Sequence, residues 1–169
     1  RYLSLVFGVL SLVVIFQIGR SLLGRGGASL ATLVAVVAPF LVYYSQETRM
    51  YAPALFFSLL SVLAALRWML GGRSRAWLAC YAVASVAAAY SHYYAWLIVA
   101  FLNLFVLLWA LASGHRGRSR LVPWVGAQVG LGLAYVPWAG VLLNKYETYL
   151  TPGSYTDPLT VFYQTLVSF

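Results

Sequence analysis

Six long apolar runs, each bounded by Arg, Gly, Ser or Pro, constrain this chain more than any other feature. They cover about Tyr2 to Gly19, Ala28 to Tyr44, Tyr51 to Leu70, Ala76 to Tyr90, Tyr93 to Ser113 and Leu121 to Leu143. A hydrocarbon core roughly 30 Å thick takes about 20 mostly apolar residues of helix to cross. No water reaches the backbone there, so each run must satisfy its own N–H and C=O groups, which makes it an α-helix. Composition excludes the alternatives. Hydrophobic residues make up 63% of the chain and charged ones 8%, against roughly half and about a quarter in soluble domains. Such a chain can neither coat itself with a soluble surface nor stay disordered. Cys80 is the single cysteine, so a disulfide scaffold is excluded too.

The expected fold is an all-α membrane protein: a bundle of about six transmembrane helices over residues 1–143, then an outer segment over 144–169. In that last segment Asp157-Pro158 has the form of a helix start, with Asp as N-cap and Pro at the first position. Leu159, Phe162, Tyr163 and Leu166 follow at helical spacing. This reads as an amphipathic helix on the outer surface or the start of a seventh span. No charged n-region with a cleavage site precedes the first run, so that run is a span and not a signal peptide. Both ends lie against apolar sequence, and the chain is expected to be a piece of something longer.

Orientation follows from the basic residues. Arg20 and Arg25, then Arg67, Arg73 and Arg75, then Arg116, Arg118 and Arg120 occupy or border alternate joints, and those joints hold no acid. Basic joints stay in the cytoplasm. On the other side Arg1, Arg49 and Lys145 balance Glu47, Glu147 and Asp157, so the whole net charge of +8 belongs to the inner face. The charge therefore reads as topology, with attraction to membrane lipids of anionic type as a by-product, and nucleic-acid binding is not expected. All three carboxylates then work outside, where nucleotide sugars are absent. An enzyme so arranged needs its activated substrate delivered on a lipid.

Two abrupt polar corners share that outer face. In Tyr43-Tyr44-Ser45-Gln46-Glu47-Thr48-Arg49-Met50-Tyr51, Glu47 and Arg49 sit at headgroup depth, where ionisable groups pair with each other or serve a function. One reading is a local ion pair closing the turn. The other is a pocket floor, with the Arg49 fork for a phosphate or carboxylate and Glu47 orienting it or holding a metal. In Ser91-His92-Tyr93-Tyr94, His92 is either an interfacial side chain in an aromatic belt or a proton shuttle, metal ligand or phosphate contact. Elsewhere the structural readings prevail. Gly24-Arg25-Gly26-Gly27 is a turn, Gly126 and Gly130 permit close helix packing, and Gln17, Asn103 and Gln128 hydrogen-bond between helices.

The string from Pro39 to Ala52, with Ser45-Gln46-Glu47-Thr48-Arg49-Met50-Tyr51 at its heart, resembles a signature of prokaryotic GT-C type membrane glycosyltransferases. That family includes protein O-mannosyltransferases and the aminoarabinose transferases of lipid A. Thr48 stands where Ala is usual. Ser91-His92-Tyr93-Tyr94 is similar to the family's Thr/Ser-His-Tyr-Phe turn, and Leu150-Thr151-Pro152-Gly153-Ser154 resembles its Pro-rich outer loop. The resemblance implies a multi-pass protein of the prokaryotic cell membrane with a polyprenyl-phosphate sugar as donor. It would transfer on the outer face to a protein, glycan or lipid acceptor, and a divalent metal ion is a candidate cofactor with Glu47 and His92 as candidate ligands. It also implies that the main catalytic carboxylate is an Asp of an outer loop ahead of the first span here, upstream of Arg1. Within the chain the expected donor-site residues are Arg49 for the phosphate, Glu47 to orient Arg49, His92 lining the same cavity, and Tyr51 and Tyr93 stacking on sugar or isoprenoid. The competing reading is a non-catalytic structural subunit among other membrane subunits. A transporter ranks third, since no Asp, Glu, Lys or Arg occupies the centre of a span.

Overall fold

A computed structural model describes residues 2–46, 50–71 and 74–149. They form six helices and, among the described residues, no strand: α1 (Tyr2–Val37), α2 (Pro39–Gln46), α3 (Tyr51–Leu70), α4 (Arg75–Ser91), α5 (Ala95–Ala112) and α6 (Gly114–Tyr149). The all-α membrane fold is as the apolar runs require. Three of these helices, α1, α3 and α5, are by themselves long and apolar enough to cross a bilayer. The chain divides into two compact units, Arg1–Ala134 and Tyr135–Phe169.

At 36 residues α1 is too long for a single crossing, and it is two arms. Gly24 has φ +76° and ψ −173°, a conformation open to glycine and strained for any residue with a Cβ. The chain reverses there. A Cβ on Gly19 would lie 2.9 Å from the Cα of Ala28, nine positions along, so the arms touch backbone to backbone just behind the turn. The first two expected spans thus form a helical hairpin. The second is interrupted at Ala38, because Pro39 disfavours helical geometry in the residue before it. Two bridging bonds, Ala38 N–H to Ala35 O and Val42 N–H to Ala38 O, carry the backbone across the break into α2.

A second glycine reversal joins α5 to α6. Gly114 has φ +61°, and a Cβ on Gly117 would meet Ala110 Cα at 2.7 Å. The consequence corrects the expected joint: residues 116, 118 and 120 do not form a loop but lie in the opening turns of α6. At its other end α6 runs past the expected limit at Leu143 to Tyr149. Residues 150–169, with the expected amphipathic helix, lie outside the described residues.

Within Arg1–Ala134, α3 is the central element, packed against both α1 and α4 and touching α5. Its buried positions mix small residues, Ala52, Ala54, Ser61, Ala64 and Ala65, with Leu63, Leu66, Trp68 and Met69 toward its end. In α4 they are Ala84, Ser85, Ala88 and Ala89 beside Tyr81. Other large apolar side chains point outward, among them Leu97, Phe101 and Leu104 of α5. A soluble bundle would reverse this. Lipid is as apolar as leucine, so helices in a bilayer gain from close backbone approach, which small residues allow. Hydroxyls are made compatible by bonding back along their own helix, as Ser11 does to Phe7 O and Thr32 to Ala28 O.

The core is aromatic and polar as well as small. Trp68, Tyr81 and Trp124 meet there with Leu102 and Val106, and the Tyr81 and Trp124 rings stack at 4.3 Å. A hydrogen-bonded relay threads this cluster. Trp124 Nε1–H donates to Asn103 Oδ1 (2.8 Å), Asn103 Nδ2 donates to Gln128 Oε1 (3.3 Å), and Gln128 Nε2 donates to the Tyr81 hydroxyl (2.9 Å). The interhelical role expected of Asn103 and Gln128 holds, and it ties α4, α5 and α6 together. Gln17 has the same role, accepting from Arg67 Nη2 at 3.2 Å between α1 and α3. The glycine pair does not behave as expected. Among the described residues nothing approaches within 4 Å of a Cβ at Gly126 or Gly130, so that face of α6 carries no packed helix.

Arg120 fastens the arginine-bearing end. Its guanidinium donates to the carbonyls of Trp68 (2.6 Å), Met69 (2.5 Å) and Gly71 (3.3 Å). These belong to the last turn of α3 and its cap, where carbonyls have no helical partner and the helix dipole favours a cation. The same group lies 5.8 Å and 5.5 Å from the ring centres of Trp68 and Trp109.

Candidate functional site

The opposite end of this unit is built from rings. Helix α2 carries Tyr43 and Tyr44 near its end, α3 begins at Tyr51, and α4 passes into α5 through His92, Tyr93 and Tyr94. His92 leaves the helix into extended backbone (φ −156°, ψ 129°), its N–H still bonded to Ala88 O at 2.8 Å. The new helix starts without delay, with Ala95 N–H on His92 O and Trp96 N–H on Tyr93 O. The turn is therefore short and its backbone satisfied, which fixes where the ring of His92 projects.

It projects onto the other corner. The His92 and Tyr51 ring centres are 5.5 Å apart, and Tyr51 in turn lies 4.7 Å from Tyr44. Tyr93 and Tyr94 flank the imidazole at 4.9 Å and 5.2 Å, nearly parallel to it. Phe40 closes the other end of the row, 4.4 Å from Tyr44. The two polar corners thus meet through their rings, on the end away from Arg120. Tyr90, two residues before His92, donates its hydroxyl to Ala134 O at 2.8 Å, which draws α6 up beside the cluster.

The chemistry of the imidazole is partly set. Tyr94 N–H points to His92 Nδ1 at 3.3 Å. With Nδ1 accepting, the proton of the neutral ring sits on Nε2, which is then a donor. Tyr93 and Tyr94 stay half-exposed, their ring centres 4.3 Å apart. The site so far is an aromatic shelf with hydroxyl and imidazole donors, suited to a sugar ring or an unsaturated hydrocarbon.

Comparison with known proteins supplies the class. A family model described as dolichyl-phosphate-mannose-protein mannosyltransferase matches residues 1–141. The chain belongs to this family. No curated protein and no solved structure matches it. The matched region takes in both corners and every helix but the last turns of α6. Membership makes the chain a membrane protein of glycosyltransferase type, and the resemblance drawn from the Ser45–Tyr51 string is confirmed at that level.

Of the expected donor-site residues, the structure brings Tyr51, His92 and Tyr93 together. Glu47 and Arg49 fall between α2 and α3 and lie outside the described residues. The metal reading needs Glu47 beside His92. Glu47 lies outside the described residues, and among those described no three His, Cys, Asp or Glu side chains gather.

Tyr44 and Tyr94, which the sequence places only among interfacial rings, both sit in the shelf. Their signal was available: each lies within one helical turn of a residue that had been singled out. Tyr81 and Trp124 gave no such signal, since a Tyr and a Trp inside apolar runs look like any other buried ring.

Proposed function

We infer that the chain takes part in moving a sugar from a polyprenyl-phosphate carrier to an acceptor hydroxyl, at the aromatic end of the bundle. The observation that carries this reading is the Tyr51–His92 contact, which joins the two family-like corners into one shelf. On it, the tyrosine faces take the apolar face of the sugar or the first isoprene units. The acceptor oxygen attacks the anomeric carbon as the carrier phosphate leaves with the bonding electron pair. A carboxylate takes the acceptor's proton; by the resemblance this is an Asp of a loop ahead of residue 1. Charge accumulates on the departing phosphate, so a preorganised cation there gains strength in the transition state. Arg49 fills that role with its bidentate fork, Glu47 holds the fork in place, and His92 Nε2–H donates to the same phosphate or to a sugar hydroxyl.

The test is transfer by the full-length protein in liposomes holding a lipid-linked sugar. Arg49→Ala is expected to lower the rate by about a hundredfold or more, the scale for removing one oxyanion donor. Arg49→Lys should recover only part, because the fork is lost. A full rate in Arg49→Ala would remove the phosphate role.

A further inference from the structure

The arginine-bearing end contains a cavity that sugar transfer does not use. It opens between α3, α4 and α6 and measures about 450 Å³. Trp68, Leu78, Val122 and Pro123 give it an apolar wall, and Arg75 and Ser119 a polar one. Arg120 and Arg67 at this end are committed, to α3 carbonyls and to Gln17. Arg75 differs: it is exposed, and among the described residues its guanidinium has no ion pair or hydrogen bond. A second cation stands behind the wall, for Arg120 lies on the Trp68 ring. The three acids of the chain, Glu47, Glu147 and Asp157, are all far along the sequence from these joints.

Beyond the cavity the surface is hydrocarbon-like. Val122 is 79% exposed, and Val129 and Leu133 continue the exposed stripe along α6. Gly126 and Gly130 lie between them, and among the described residues nothing comes within 4 Å of a Cβ at either. A cationic, hydroxyl-bearing recess that runs into an uncovered apolar furrow matches one class of molecule in a bilayer.

We propose that this cavity binds an anionic phospholipid, with the headgroup phosphate on Arg75 and Ser119 and an acyl chain along the Val122–Leu133 face of α6. Basic recesses between spans select anionic headgroups, at about 1 kcal/mol per basic side chain, or about fivefold in affinity. The lipid would brace α4 and α6 against each other at the end where Arg120 already joins α6 to α3. No residue of the aromatic shelf lines this cavity, so the proposal is independent of the donor-site reading.

Native mass spectrometry of the delipidated full-length protein, titrated with phosphatidylglycerol and with phosphatidylcholine, tests it. Phosphatidylglycerol should bind about tenfold tighter or better. Arg75→Gln should lose about fivefold of that affinity, and Val122→Trp, which fills the recess from an exposed position, should lose at least as much. Arg25→Gln, at the same end but outside the cavity, should change it less than twofold. Equal affinity for the two lipids would overturn the proposal. So would equal losses in Arg75→Gln and Arg25→Gln, the mark of diffuse attraction, or displacement of the lipid by millimolar inorganic phosphate, the mark of a free-anion site.

Discussion

The two ends of the Arg1–Ala134 unit handle polar groups in opposite ways. At the arginine end, Arg75 apart, two guanidiniums are engaged by the protein itself. Arg120 closes the carbonyl end of α3, Arg67 reaches Gln17, and two glycines in left-handed backbone make the reversals with no side chain to spare. At the aromatic end the backbone is satisfied by the turn itself, while Tyr93 and Tyr94 of the second corner stay half-exposed. Groups already paired hold a fold together, and groups held in place but left unpaired are what a ligand needs. Substitutions at the paired groups of the first end should therefore act on stability and those at the second on transfer.

The largest effect expected on stability is at Arg120. Arg120→Ala removes three charge-assisted bonds to carbonyls at the end of α3 and both ring contacts, and it leaves those carbonyls without partners. A loss of about 3 kcal/mol is expected, read as a lower midpoint in thermal unfolding followed by tryptophan fluorescence. Arg120→Lys should fall between, since an ammonium serves fewer carbonyls at once than the planar fork. An Arg120→Ala protein as stable as the parent would break the contrast at its strongest point.

Gly24 comes next. Gly24→Ala places a Cβ on backbone at φ +76° and should cost about 1–2 kcal/mol. Gly26→Ala, two residues on, sits in ordinary helix with open space at the Cβ and should be neutral or stabilising. If the two substitutions cost the same, the reversal is not made at Gly24. Smaller again is Gln128→Leu, which removes the donor to the Tyr81 hydroxyl and the acceptor for Asn103 Nδ2. Interhelical hydrogen bonds in membranes average roughly 0.6 kcal/mol, so a loss near 1 kcal/mol is expected in the same unfolding measurement.

These sites also mark how far the sequence could be read. Uncharged runs such as Ala95–Ala112 require helix because the bilayer offers no other backbone solution, and the glycine-rich joint after Leu23 was legible as a turn. The joint after Ser113 was not. Its arginines suggested a polar loop, but one residue, Gly114, makes the whole reversal and leaves residues 116–120 free to be helix. Parity of the joints was enough to put Tyr51 and His92 at one end. It could not show that their rings meet, because that depends on α3 and α4 lying side by side. The relay from Trp124 to Tyr81 was half legible: amides inside a span need partners, but nothing in a sequence says which ring supplies them.

His92 is where stability and transfer should part most clearly, with the smallest effect on the fold. His92→Phe keeps a ring between Tyr51, Tyr93 and Tyr94, and it deletes the acceptor for Tyr94 N–H and the donor at Nε2. The lost bond is long, at 3.3 Å, and exposed, so the unfolding midpoint should move by no more than about 0.5 kcal/mol. Transfer should nevertheless fall about tenfold, and His92→Gln, which restores a donor but not the ring, should recover part of it. A His92→Phe protein as unstable as Arg120→Ala would mean that the imidazole is structural. Full transfer with normal stability would mean that the shelf needs only its rings. Loss of transfer on an intact fold is the one result that assigns this end to the ligand and the other to the bundle.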